Sequence, residues 1–157
     1  MPPELELWSR ELLQGQVMRL RSLGGSMIPS LREGDLVTVV PAKTCRVGDI
    51  VLYNRGDSLI MHRVLAKFAD KIITKGDAAA RLDPPLNLGD ILGRAVSYER
   101  QGKKFSLNSL RSRMCGLAYC LTVSWIPGSI TLLAALKRLG REKLGLGGPF
   151  RNFKAAP

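Results

Sequence analysis

Histidine is almost missing from this chain: His62 is the only one in 157 residues. That removes most metal sites, which draw on several imidazoles or paired thiolates. Cysteine is scarce too. Cys45, Cys115 and Cys120 are an odd number, so they cannot form a disulfide framework and at least one thiol stays free. They lack a C-x-x-C pair, so a zinc site built from three Cys and one His is not expected, nor is any other cofactor. No secretory signal opens the chain, because Glu4, Glu6, Arg10 and Glu11 interrupt the stretch that would have to be apolar. Acidic residues nearly vanish toward the C-terminus. Residues 1–100 hold 14 basic and 12 acidic side chains, whereas residues 101–157 hold 10 basic and 1 acidic. The net charge of +11 therefore belongs mostly to the last third. A basic segment suits nucleic acid or anionic lipid. No aromatic-interleaved basic stretch or nucleic-acid motif accompanies this one, which argues against nucleic acid.

What is present is the composition of a globular domain: 45% hydrophobic and 24% charged residues, in a length that suits one domain with a real core. Pro2 and Pro3 followed by Leu5, Trp8 and Leu12 predict a short amphipathic helix ending near Gly15. Beyond it come short apolar runs at 17–20, 36–40, 50–53, 59–65, 71–74, 91–98 and 104–107. Between them recurs a Gly-Asp pair, at Gly34-Asp35, Gly48-Asp49, Gly56-Asp57, Gly76-Asp77 and Gly89-Asp90. Glycine supplies positive φ and aspartate bonds nearby backbone, so these read as turns between strands. The pattern predicts a mainly β fold over about 17–108, a small antiparallel β-barrel or coiled sheet.

The third region begins near Ser109. From Met114 to Leu136 no residue carries a formal charge, and Arg111, Arg113, Lys137, Arg138, Arg141 and Lys143 flank the stretch. As a helix it would reach about 34 Å, enough to span a bilayer core. Pro127-Gly128 could kink one helix or separate two that dip into one leaflet. The bland alternative is a buried terminal helix pair packed on the sheet. Membrane association through residues 114–136 is the expectation, with 1–108 as the folded domain, 109–143 as a basic-flanked apolar helical segment and 144–157 as a loose tail.

Two positions could do chemistry. Ser26 sits in Gly24-Gly25-Ser26-Met27-Ile28-Pro29, a glycine-rich turn that would expose its hydroxyl. Taken alone, such a serine is usually just a turn residue. His62 lies in the apolar run Leu59–Leu65, where a lone histidine is more often structural. A serine nucleophile nevertheless needs a base, and imidazole is the usual one. The ring's second nitrogen then wants a carboxylate. Asp77 and Asp83 are both candidates, with turn roles as their alternatives.

In order, these boxes resemble the S24/S26 serine peptidase superfamily, and most closely signal peptidase I of the endoplasmic-reticulum type. They are Gly24–Pro29 with Gly34-Asp35, Val47–Tyr53, His62–Val64, Thr74–Asp77 with Asp83 six residues on, and Gly93–Ala95. The resemblance covers roughly residues 18–98. It implies a coiled antiparallel sheet and an endopeptidase that cleaves signal or leader peptides of preproteins after small residues. Position by position, it implies Ser26 as nucleophile and His62 as base where bacterial-type relatives carry lysine. Asp83 matches the acidic partner, and Asp77 is the second acid of that box. Gly24, Gly25, Met27 and Pro29 would shape the substrate site. The sequence departs from the family in three ways. Gly24 stands where bacterial-type relatives often place an oxyanion-hole serine. Ala78-Ala79 replaces Asn-Asn. The only anchor candidate is C-terminal. Two rival readings accompany this one. A LexA-type self-cleaving regulator would need a DNA-binding domain, and only 25 residues precede Ser26. An inactive membrane-binding module on the same fold would have no need to keep both Ser26 and His62.

Overall fold

A computed structural model of the chain describes residues 3–124. It opens with helix α1 (Pro3–Leu13). Trp8 and Leu12, four residues apart, lie on one face and turn toward the sheet, where Leu12 is fully buried. The helix stops where expected: the Gly15 amide donates to the Leu12 carbonyl, and Gly15 takes φ 92°.

Eight strands follow: β1 (Met18–Arg21), β2 (Leu36–Pro41), β3 (Ile50–Arg55), β4 (Ser58–Phe68), β5 (Lys71–Lys75), β6 (Leu86–Asn87), β7 (Ile91–Arg100) and β8 (Lys103–Ser106). All pairings are antiparallel, in the order β1-β2-β7-β3-β4-β5-β6. β8 pairs with the C-terminal end of β7, on the edge that β3 uses further back. The mainly β antiparallel architecture with a short N-terminal helix is thus as the strand pattern predicts. The sheet does not close. Among the described residues β1 and β6 end the path without pairing to each other, so the closed-barrel alternative is corrected. A two-residue β6 offers too few ladder bonds to seal a barrel. β6 has no counterpart among the predicted runs, since two residues after Pro84-Pro85 carry no periodicity.

The core explains why the strands read as continuous apolar runs rather than as alternation. β3 is buried on both faces. Ile50 and Leu52 join Leu12, Leu31, Val37, Val39 and Leu92 in one cluster, while Val51 and Tyr53 join Val64, Ile72 and Ile91 in another. Each such aliphatic side chain contributes about 1.5–3 kcal/mol by leaving water. The Gly-Asp pairs also behave as turns. Asp35 and Asp49 accept from the Arg32 and Arg46 amides at 2.8 and 2.9 Å. Gly56-Asp57 is the two-residue hairpin between β3 and β4, closed by the Arg55–Ser58 pair. Gly76-Asp77 is a turn as well, closed by the Ala79 amide donating to the Gly76 carbonyl at 3.0 Å, but its Asp77 is fully buried and serves the site described below.

Helix α2 (Leu110–Ser124) packs back onto the sheet. Its Gly116 lies over the Arg63 guanidinium, and the Cys120 carbonyl and Sγ accept from the buried Lys75 ammonium at 3.2 and 3.7 Å. Among the described residues no helix is long and apolar enough to cross a membrane. Of the apolar stretch 114–136, residues 125–136 lie outside the described residues, as does the tail 144–157.

Candidate active site

The turn after β1 carries Ser26. Its neighbour Met27 is buried in the main core and pins the turn down, while Ser26 itself stays exposed. Gly24 takes φ 75°, a conformation that a side chain would strain, so a serine is disfavoured there on backbone grounds. The Ile28–Pro29 bond is cis. The Ser26 carbonyl accepts from the Ala78 amide at 2.9 Å, which ties the turn to the loop after β5.

β4 carries His62, paired across the ladder with Val51. The ring is buried at 8% exposure. Its Nε2 lies 3.3 Å from Ser26 Oγ, and its Nδ1 lies 2.6 Å from Asp83 Oδ2. An ionised carboxylate can only accept, so Nδ1 carries a proton, and in the neutral ring Nε2 is the acceptor that faces the serine. Asp83 arrives from the loop after β5, held by its amide donating to the Thr74 carbonyl. Two hydroxyls also donate to Asp83 Oδ2, Thr74 at 2.8 Å and Tyr53 at 3.0 Å, and Arg55 meets Oδ1 at 2.6 Å. Burial alone would raise the Asp83 carboxyl. The bonds from His62, Arg55 and Thr74 and the charge of His62 outweigh it and hold the group at about 2. Burial likewise pushes the Tyr53 phenol up, so it stays a donor at neutral pH.

Asp77 and Asp83, left as alternatives by their spacing, have separate environments. Asp77 does not meet the histidine. It receives Arg63 through two bonds of 2.7 Å and the Ser30 hydroxyl as well. Arg63 also donates to the Gly48 carbonyl and to Ser30. This cluster, built on the buried Arg63–Asp77 pair, locks the serine-bearing turn, through the half-buried Ser30, to β4 and to the loop after β5. Gly76 lies between the two groups. A Cβ there would fall 2.6 Å from the Ser26 carbonyl and 3.0 Å from His62 Nε2, so glycine is required for close approach rather than for a hairpin. The lysines near His62 in sequence face elsewhere: Lys75 donates to Cys120 and Lys67 to the Cys45 carbonyl.

A cleft of about 380 Å³ runs up to Ser26 and His62. Gly24 and Met27 line it, as do Trp8 of α1, Leu20, Leu52 and Met61, which make its walls largely apolar. Gly25 and Pro29 shape the turn beside it. β4 pairs with β5 only from Arg63 onward, so among the described residues the stretch Ser58–His62 keeps an unpaired strand edge, and that stretch lines the cleft. Sequence reasoning missed Tyr53, Arg55 and Ser30. Tyr53 stood inside a quoted box, but nothing local pointed it at Asp83.

Residues 5–74 match the family model described as Peptidase S24-like. Over that stretch the chain is similar to these peptidases, which supports the S24/S26 superfamily and a serine peptidase fold of the LexA-like kind. The matched residues include Ser26 and His62 and end before Asp83. No curated protein matches the chain.

Proposed function

We propose that the chain is a serine endopeptidase of the signal peptidase I type, with Ser26, His62 and Asp83 as its catalytic residues. The observation that carries this reading is the continuous contact from Asp83 to His62 Nδ1 and from His62 Nε2 to Ser26 Oγ, ending at an open cleft. Ser26 Oγ attacks the scissile carbonyl carbon, and its proton passes to His62 Nε2. The tetrahedral intermediate collapses as His62 returns that proton to the departing amine, leaving an acyl-enzyme. Water then attacks the ester carbonyl, His62 takes its proton, and the acid product leaves with Ser26 restored. Asp83 holds the ring's tautomer and stabilises the imidazolium. In this reading the backbone amide of Ser26 donates to the oxyanion, a contact worth about 3–4 kcal/mol where such a donor has been removed in other enzymes.

The substrate is an extended peptide that adds to the open edge of Ser58–His62, with small residues before the scissile bond. A preprotein or leader peptide meets that description. Membrane association through residues 114–136 belongs to the same reading and is motivated by their lack of formal charge. The test is to incubate the full chain in detergent with a preprotein carrying an Ala-x-Ala site and to locate the cut by mass spectrometry. Cleavage after the small residue, abolished in both Ser26→Ala and His62→Ala, is the expected result. A folded wild-type protein that leaves the substrate intact, or a Ser26→Ala protein that still cleaves, overturns the reading.

A further inference from the structure

Arg55 is not needed for proton transfer in a Ser-His-Asp arrangement, yet it makes the closest contact to the outer oxygen of Asp83. It is the last residue of β3 and shares a strand face with Tyr53 and with Val51, the ladder partner of His62, so it lies on the histidine side. Its Nη2 is 2.6 Å from Asp83 Oδ1 and 2.8 Å from Tyr53 Oη, and its guanidinium carbon lies 5.5 Å from the centre of the Tyr53 ring. Asp83 Oδ2 is meanwhile shared by His62, Thr74 and Tyr53. The carboxylate is thus gripped on both oxygens by donors from β3, β4 and β5.

We propose that Arg55 is a positioning residue of this site, which fixes the Asp83 carboxylate and offsets its charge so that His62 becomes neutral, and able to accept the Ser26 proton, at a lower pH. The inference rests on the reading of Ser26, His62 and Asp83 as catalytic. A lone buried carboxylate beside an imidazole favours the charged ring and so keeps the base occupied. A guanidinium on the far oxygen repels the imidazolium through the same carboxylate and cancels part of that preference. Arg21 and Asp57 share the cleft with the ring. Asp83 and Tyr53 face Nδ1, and Ser26 faces Nε2. Arg63 and Asp77 neutralise each other in their own cluster, and Lys75 points to α2. Arg55 therefore supplies the cationic side chain that bears on the Asp83–His62 pair. Its side chain is 43% exposed, so solvent screens the effect and a shift of about half to one pH unit is expected on its removal.

The experiment uses the fact that His62 is the only histidine. Its imidazole resonances are followed by NMR through a pH titration of the full chain as wild type, Arg55→Gln and Arg55→Lys. The rate at which a fluorophosphonate probe labels Ser26 is measured over the same range. In that reaction Oγ bonds to phosphorus, fluoride leaves, and the serine proton goes to His62 Nε2. In Arg55→Gln the imidazole midpoint and the acid limb of labelling both move up by about 0.5–1 pH unit, while Arg55→Lys stays near wild type. An unmoved midpoint in Arg55→Gln, even with a lowered Tm, would reduce Arg55 to a structural contact and overturn the proposal. So would an equal displacement in Arg55→Lys. A midpoint that moves in a protein whose Ser26 never labels would sink the peptidase reading but uphold the effect of Arg55 on His62, so the two failures are told apart.

Discussion

Asp83 and Asp77 stand six positions apart on one loop, yet their carboxylates work on opposite sides of β4: Asp83 reaches His62 Nδ1 at 2.6 Å, and Asp77 holds Arg63 through paired bonds of 2.7 Å. Successive residues of a strand point to opposite faces, so His62 and Arg63 necessarily face different partners. One carboxylate meets the imidazole. The other ties together the segments that carry the serine and the histidine.

That division separates two substitutions. Asp83→Asn leaves the side chain's shape but removes the charge that orients the ring. Peptide cleavage is expected to fall about 10³- to 10⁴-fold with a modest change in Tm. Asp77→Asn leaves Arg63 charged, buried and half-paired, so stability is expected to drop by about 3–5 kcal/mol. Urea unfolding of both variants beside the cleavage assay checks the assignment. A large stability loss in Asp83→Asn with unchanged turnover would reverse it.

Gly76→Ala tests the close approach of the loop to the Ser–His pair. The added methyl would meet a backbone carbonyl at 2.6 Å and the Nε2 acceptor at 3.0 Å, and the carbonyl cannot step aside as a side-chain end could. Separation of Ser26 from His62 is expected to lower kcat at least about 100-fold, since misplacement by about 1 Å has that cost elsewhere. Full activity in this variant would show that the loop adjusts freely.

Gly116→Ala probes how α2 is seated. Its Cβ would fall 2.3 Å from the Arg63 guanidinium, and Asp77, Ser30 and the Gly48 carbonyl hold that group in place. Overpacking here is expected to cost about 1–3 kcal/mol, read as a lower urea midpoint. A variant as stable as wild type would mean that α2 can shift off the sheet without loss.

The acid limit of stability follows from Asp83. Its folded carboxyl is held at about 2, below the unfolded value near 3.9, so the ionised form favours the folded state. The contribution is complete above about pH 5 and disappears as pH falls through about 4 toward 2. The stability gap between wild type and Asp83→Asn is therefore expected to narrow over that range. Chemical denaturation at pH 6 and pH 3 measures it, and a gap that stays constant would assign the effect to packing.

Much of this molecule is legible in the chain alone. Seven of the eight strands coincide with apolar runs, because burying a strand on one or both faces demands such residues locally. The turns at Gly34-Asp35, Gly48-Asp49 and Gly56-Asp57 are legible for the same reason, since backbone conformation and short-range side-chain bonds need no distant partner. Ser26 and His62 stand out as residue types in ordered boxes. Three-dimensional folding decided the rest. β6 is too short to carry a pattern. Whether the sheet closes depends on how its two ends meet, which no single strand encodes. The choice between Asp77 and Asp83 turned on which face of β4 each loop residue reaches. Arg55, Tyr53 and Thr74 became partners of Asp83 because antiparallel pairing brought β3, β4 and β5 side by side. The chain determined its strands and turns through local chemistry, and only tertiary packing, which joins residues far apart in sequence, determined which charges face one another.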